Sequence, residues 1–591
     1  MNILGISCFF HDSAAALLRD GELIAAAEEE RFSRKKHDHE FPVNAIQFCL
    51  REGQIRGEEL DLVVFFEKPF LKFERLLMSV MQTFPKSRKV FRESMITWLT
   101  DKLWVKNIIQ RHLGVPANKI VFSDHHLSHA ASAFFCSPFD EAAILTVDGV
   151  GEWATATHGI GRGTDIKLLR EIRFPHSLGL LYSAFTAFLG FEVNEGEYKV
   201  MGMAPFGQPR YTDKVWKLIR QDQDGSFCLD MQYFSFHHST DTTYTSKFID
   251  LFGPPRDPKA LFFTSSSGYP GYFGDKPQDY DALSRQNQHY ADVAASIQLV
   301  TEEVLLQMAR SLHRETGLTS LCMAGGVALN SVANGRILRE TPFEEIFIHP
   351  AAGDGGGAVG ACLYGYHTVL GKPRKFVMRH AYWGQSYSER DIDGFLRAQR
   401  IPHVHVEDEG KLLEHAVDLM QEGKVIGWFQ GRFEWGPRAL GNRSILADPR
   451  KPEMKDIVNT KIKFREPFRP FAPSVPMSHV SDFFDLAQPD RHLPARYMLY
   501  VVPVKEPMRS RVPAITHVDG TARLQTVDPT EAPRYHRLIQ TFGQATGVPV
   551  VLNTSFNLKG EPIVNSPAEA FSTFSRSGMD ALILGNYIIK K

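Results

Sequence analysis

The stretch Asp124-His125-His126-Leu127-Ser128-His129 runs into the helix-forming sequence AASAFF and sets two imidazoles four residues apart. On a helix this spacing puts His125 and His129 on one face, where both could ligate one divalent ion, while His126 points about 100° away. Such a pair also serves to cap a helix or to fill a core, so a third ligand must decide. Two acids are candidates: Asp148, at the end of the apolar run 142–147, and Asp354, inside Gly353-Asp354-Gly355-Gly356-Gly357. The glycine run follows the apolar segment 346–348 and opens a small-residue helix from Ala358. A backbone this free of Cβ atoms admits a phosphate at a helix N-terminus, with its one acid placed for a bridging cation. A plain strand-to-helix turn is the other reading, though it rarely needs four glycines.

Three further groups carry chemistry. His11-Asp12 leaves the first apolar run, and an acid beside a histidine fixes its tautomer and raises its basicity, which suits a general base or an ordinary turn cap. Gly325-Gly326-Val327-Ala328-Leu329-Asn330 follows the strand-like segment 320–323, where paired glycines allow close approach of a nucleobase or ribose. The third group is basic: Gly431-Arg432-Phe433-Glu434-Trp435-Gly436-Pro437-Arg438-Ala439-Leu440-Gly441-Asn442-Arg443, then Lys461, Lys463, Arg465, Arg469 and Arg523. Cations among glycine, proline and aromatic residues differ from a solvated helix face, where acids alternate with bases. They suit a polyphosphate pocket. Near the C-terminus, Leu552-Asn553-Thr554-Ser555-Phe556-Asn557, with Lys559, adds amides, hydroxyls and a lysine after an apolar strand.

These groups need a frame. Segments 3–8, 14–18 and 23–27, with the turn pair Asp20-Gly21, read as strand, strand and strand; 142–147, the turn Asp148-Gly149-Val150-Gly151-Glu152 and 155–160 repeat the pattern. Two such units predict a duplicated α/β fold that brings two turns to one ligand. Helical periodicity spans 290–314, a Gly-, Pro- and aromatic-rich loop spans 253–280, and a composition break at Gly371-Lys372-Pro373-Arg374 predicts domains 1–372 and 373–591. The 591 residues exceed a single domain, and 67 lysines and arginines against 68 acids leave a net charge of -1, so no global basic field exists to hold nucleic acid or an anionic membrane, no membrane partner is expected, and any anion site must be local. Six scattered cysteines without CxxC spacing suit a reduced compartment. With no leader-like start and no long apolar run, the chain is expected to be soluble and cytoplasmic.

Taken in order, GISCFFHDSAAALLRDG, AAAEEERFSRKKHD, DHHLSHAASAFF, VDGVGEW, EGEYKVMGMAPFG, GGVALN, GDGGGAVGA, GRFEWGPRALGNRSILADPR, KIKFREPFRPFAP and NTSFNLKGEPIV resemble the nodulation-type O-carbamoyltransferases, which include antibiotic-tailoring members. The resemblance spans nearly the whole chain. It implies an N-terminal actin-like domain of the sugar-kinase superfold and a C-terminal α/β domain similar to threonylcarbamoyl-adenylate synthase. It implies that ATP, with Mg(II), and carbamoyl phosphate give carbamoyl-adenylate in the second domain, and that the first passes the carbamoyl group to an acceptor hydroxyl. By the same likeness, His125, His129, Asp148 and Asp354 hold a divalent metal, Fe(II) by family and Mn or Zn by ligand chemistry alone. His11 with Asp12 acts as base. Lys199, Gly325, Gly326, Asn330, Gly355, Arg438, Arg443, Lys463, Arg469, Arg523, Asn553 and Ser555 fall at nucleotide- and phosphate-binding motif positions. The acceptor is a natural product or sugar that the loop 253–280 does not identify. Two other readings are a tRNA-modifying threonylcarbamoyl-type transferase, which neutral charge disfavours, and a non-enzymatic actin-like nucleotide-binding protein, which the histidine pair disfavours.

Overall fold

The computed structural model describes Met1–Lys591, and the chain divides into two compact units. Unit 1 comprises Met1–Ala25 and His39–Val377; unit 2 comprises Ala26–Asp38 and Met378–Lys591. No helix is long and apolar enough to cross a membrane.

Unit 1 is built on two five-stranded sheets of the same topology. The strands of the first are β1 (Asn2–Ser7), β2 (Ala14–Arg19), β3 (Glu22–Glu28), β4 (Leu62–Phe65) and β5 (Ile120–Phe122), in the order β3-β2-β1-β4-β5. Those of the second are β6 (Glu141–Val147), β7 (Ala154–Arg162), β8 (Asp165–Arg173), then β11 (Ser320–Ala324) and β12 (Glu345–Ile348), in the order β8-β7-β6-β11-β12. Between β8 and β11 the chain forms a separate two-stranded ribbon, β9 (Ile219–Gln221) with β10 (Phe227–Leu229). In both large sheets the first strand pairs antiparallel with the second and parallel with the fourth, and the fourth pairs parallel with the fifth. The repeat expected from the sequence is present, with β1, β2, β3, β6, β7 and β11 within a residue or two of their expected bounds, while β4, β5 and β8 were not anticipated. The runs in β1, β2 and β6 are apolar without alternation because both faces are buried.

Helices complete the unit. α1 (Pro69–Thr83) and α2 (Arg88–Thr100) form a hairpin after β4, and α3 (His125–Phe134) follows β5. After β8 come α4 (Glu197–Met203), the 37-residue α5 (Tyr280–Thr316), α6 (Ser331–Glu340) and α7 (Asp354–Tyr364). The helix expected from Ala358 starts four residues earlier, so the glycine run is its first turn. Close packing explains those small residues: a Cβ on Gly360 would stand 1.8 Å from the Ser128 carbonyl oxygen of α3. The loop 253–280 holds a single helical turn, Gly271–Phe273.

Unit 2 carries a nine-stranded mixed sheet. Its strands are β13 (Val404–His405), β14 (Ile426–Phe429), β15 (Arg443–Ala447), β16 (Ala472–Pro476), β17 (Tyr500–Pro503), β18 (Thr521–Val527), β19 (Val551–Ser555), β20 (Ala581–Leu584) and β21 (Tyr587–Lys590). They lie in the order β13-β21-β20-β14-β15-β19-β16-β18-β17. Helices α8 (Glu409–Gln421) and α9 (Pro533–Thr546) bury Leu412, Leu538 and Phe542 against Trp428 and Ile583 of the sheet. Each such side chain contributes about 1.5–3 kcal/mol of burial.

Candidate metal centre and candidate anion pocket

The duplicated topology brings four ligand candidates together in unit 1. α3 closes the first repeat and supplies His125 and His129; the turn after β6, which opens the second repeat, supplies Asp148; α7, which closes the second, supplies Asp354. Their ligand atoms all lie within 4.8 Å of one another, and all four residues are buried. The two Nε2 atoms are 3.1 Å apart. Two nitrogens each about 2.1 Å from one ion would sit at about that separation. Asp148 Oδ2 stands 3.0 Å from His125 Nε2 and 3.5 Å from His129 Nε2, and Asp354 Oδ1 stands 3.5 Å from both. Neither oxygen of Asp354 accepts a hydrogen bond although the residue is fully buried. A carboxylate taken out of water without a donor costs several kcal/mol, so this donor set fits a divalent cation.

The charges respond accordingly. Burial would push His125 and His129 down, but the carboxylates of Asp354 and Asp148 outweigh it and hold both imidazoles above their ordinary range. Burial raises Asp148, and the two imidazoles pull it well below. His126, by contrast, is neutral: burial and its two histidine neighbours push it down to about 3, and its ring bonds Thr146 Oγ1 at 2.6 Å and the Ala154 carbonyl at 3.0 Å.

Three positioning residues escaped the sequence reading. Glu152 accepts the His125 amide through both oxygens (3.0 and 3.1 Å) and the Lys68 amide (2.8 Å), so it caps α3 where Asp124 does not. It lies in the VDGVGEW stretch, where its place was visible and its role was not. Glu67 lies 3.6 Å from His125 Nδ1 and bonds buried Lys72 at 2.6 Å. Burial raises the Glu67 carboxyl, but Lys72 and His125 overcome this and hold it down to about 2. Neither Glu67 nor Lys72 carries a local sequence signal.

His11 Nδ1 bonds Asp12 Oδ2 at 3.0 Å, and its Nε2 faces Asp354 Oδ2 at 3.9 Å. Burial disfavours its charge, yet Asp354, Asp12 and Asp148 push it up to about 9. Gly326 donates its amide to Asp148 Oδ1 at 2.8 Å and so orients that candidate ligand. Gly325 adopts φ +92°, and a Cβ there would meet the Val147 carbonyl oxygen at 2.2 Å. Asn330 caps α6 through Ala333 (3.2 Å) and pairs with Gln298. Gly355 lies in the first turn of α7, and Lys199 on α4 holds its ammonium 5.6 Å from the Phe191 ring.

In unit 2 the expected phosphate ligands separate into two kinds. Arg443 is fully buried: its Nη atoms donate to the carbonyls of Gln430, Gly431, Asn442 and Gln385, and its guanidinium lies 3.6 Å over the Phe429 ring. These contacts leave it holding a loop rather than facing a phosphate. Asn553 is likewise enclosed, donating to Ala439, Ser474 and Gln525, and Gln525 in turn holds the Leu440 carbonyl at 2.8 Å. The hub of this loop is Glu434, missed in the sequence, whose Oε1 accepts the amides of Leu440, Asn442 and Arg443 at 2.7–3.1 Å. Arg438, Arg469 and Arg523 behave differently. Burial, then Arg438 and Arg469, depress Arg523 well below the usual arginine range. Burial and the cations Arg465, Arg469 and Lys36 likewise depress Lys463, whose Nζ donates to Ser555 O (2.6 Å), Ser555 Oγ (3.1 Å) and Asn557 Oδ1 (2.6 Å). Cations that disfavour one another in a confined space fit an anion.

Residues 2–363 match the sequence model of the family described as carbamoyltransferase N-terminus, and residues 417–591 that described as carbamoyltransferase C-terminus. The chain is 37% identical to nodulation protein NolNO of Sinorhizobium fredii over 99% of its own length and 79% of that protein. It is 38% identical to NolO of Bradyrhizobium diazoefficiens over 79% of each chain. It is 35% identical to the 3'-hydroxymethylcephem-O-carbamoyltransferase of Streptomyces clavuligerus over 45% of this chain and 48% of that one.

Proposed function

This chain belongs to the carbamoyltransferase family, and on that premise we propose that it carbamoylates a small-molecule hydroxyl through two half-reactions, one in each unit. In unit 2, carbamoyl phosphate, ATP and one water give carbamoyl-adenylate, phosphate and pyrophosphate. The observation that carries this is that Arg438 and Arg469 crowd the buried Arg523 and, after burial itself, depress it further, in a chain of net charge -1. An incoming polyphosphate relieves that repulsion, and each charge-assisted contact is worth about 1.5–3 kcal/mol. Arg438, Arg469 and Arg523 are the phosphate ligands in this reading; Arg443 and Asn553 hold their loop, and the Lys463 ammonium is taken up by Ser555 and Asn557.

In unit 1 the acceptor oxygen bonds to the carbamoyl carbon and the bond to AMP breaks. The hydroxyl proton passes to His11 Nε2, because Asp12 occupies Nδ1. A divalent ion held by His125, His129, Asp148 and Asp354, iron by family likeness, would supply positive charge for the leaving phosphate and cancel the field that keeps His11 protonated. His11→Asn keeps a polar side chain without the base, and transfer should fall at least about a hundredfold. The deciding experiment incubates the chain with ATP and carbamoyl phosphate and follows carbamoyl-adenylate by mass spectrometry. Adenylate should form with parental protein and vanish in Arg523→Ala; pyrophosphate release that needs no carbamoyl phosphate would overturn the reading.

A further inference from the structure

We propose that the hairpin α1–α2 docks this protein on anionic lipid surfaces. Nine of the eighteen exposed large apolar side chains fall between Phe70 and Trp104. Phe70 and Met81 are each 72% exposed and Phe84 is 68% exposed. Single exposed apolar residues are ordinary on a protein surface, but a cluster on one hairpin marks a face that something covers.

Charge identifies what covers it. Between Lys68 and Arg111 the chain has ten lysines and arginines against Glu74, Glu93 and Asp101, an excess of seven in a protein whose net charge is -1. Several of these cations have internal acids: Lys68 bonds Asp124, Lys72 bonds Glu67 and Lys89 pairs with Asp241. Lys86, Arg88 and Arg92, at the tip and along the start of α2, are exposed and flank Met81, Phe84 and Phe91. Apolar side chains ringed by cations suit a lipid interface, where the first enter the acyl boundary and the second meet headgroup phosphates. The base of the hairpin is fixed to the fold by the Lys72–Glu67 pair (2.6 Å) and by Arg75 on the Gly151 carbonyl (2.7 Å), so docking would hold unit 1 at the surface.

The test uses the full chain and flotation with vesicles of equimolar phosphatidylglycerol and phosphatidylcholine, against phosphatidylcholine alone. Partition onto the anionic vesicles should be at least about tenfold stronger at about 0.1 M salt and should fall as salt screens the headgroups. The pair Met81→Ser with Phe84→Ser, and separately Lys86→Glu with Arg88→Glu, should each weaken partition at least about tenfold while the thermal unfolding midpoint stays parental. Equal partition onto both vesicles, no flotation, or variants that bind like the parent would overturn the proposal. A dimer in light scattering that either pair of substitutions dissolves would assign the face to a second copy of the chain and overturn it equally.

Discussion

The two candidate centres are opposite in what they lack. In unit 1, buried acceptors outnumber donors: Asp354 has two oxygens without a donor, and the imidazoles around it are driven toward protonation. In unit 2, cations crowd one another, and burial together with that crowding drives Arg523 and Lys463 toward losing their charge. Residue type alone does not make this distinction, since Arg443 lies in the same stretch as Arg438 and spends its donors on carbonyls. What separates a ligand site from a structural charge is whether the fold has already supplied the partner.

The sharpest break of the comparison is Asp354→Asn, which removes the carboxylate that accepts no hydrogen bond. Metal affinity should drop more than about a hundredfold, since even outer-shell losses reach that range. Elemental analysis reads the loss, and carbamoyl-adenylate synthesis should be unaffected; retention of metal would break the contrast.

Arg443→Ala and Arg523→Ala test the difference between two buried arginines. Removing Arg443 strands the Gln430 and Gly431 carbonyls, since those of Asn442 and Gln385 also accept the Gln430 and Phe433 amides, and should cost about 2–4 kcal/mol of stability, read by denaturant unfolding. Removing Arg523 relieves repulsion, so stability should hold or rise. The stabilisation of the parent by added pyrophosphate should then weaken by about 1.5–3 kcal/mol in binding free energy, read as a lost shift in unfolding temperature.

A pH series separates the centres further. His11, His125 and His129 have raised values in the metal-free fold, so their contribution to stability is full below about pH 6.5 and is lost as pH rises through those values, about 9 for His11. Metal binding has the opposite sign, because a cation must displace those protons. Its affinity should therefore rise with pH, by about tenfold per unit for each proton released, and titration calorimetry in buffers of different ionisation enthalpy counts them. An affinity that is flat from pH 6 to 9 would contradict the protonated imidazoles. The smallest effect is Glu67→Gln, expected to weaken metal about tenfold by loosening His125, with Glu67→Asp recovering part of it.

The grouping of the candidate metal centre's four residues was legible in the sequence because its logic is local. Four-residue spacing on a helix, an acid at a strand end and an acid in a glycine run each carry their own signal. Glu67 was not legible, since it meets His125, distant in the chain, only after β4 and β5 pair. The basic stretch was readable as a cluster and not as two roles, because an arginine on carbonyls and one facing an anion have the same composition around them. Short range also explains why the boundary read at 372 and 373 left Ala26–Asp38 inside the first domain when it clusters with unit 2.

That segment means the chain leaves unit 1, enters unit 2 and returns before completing the first sheet. Arg31 donates to the Gly436 carbonyl at 2.9 Å, and Arg34 donates to those of Ile563 and Pro562 at 2.6 and 2.8 Å. A gene cut once at the codon after Val377 therefore yields no self-sufficient halves. The downstream fragment would emerge without the two guanidinium groups that hold its loops, and the upstream one would display them with nothing to grip. Shuffling between relatives at that point mixes an Arg31–Arg34 strap from one parent with the loops of the other, so inheritance of the two units is tied by thirteen residues rather than by a linker.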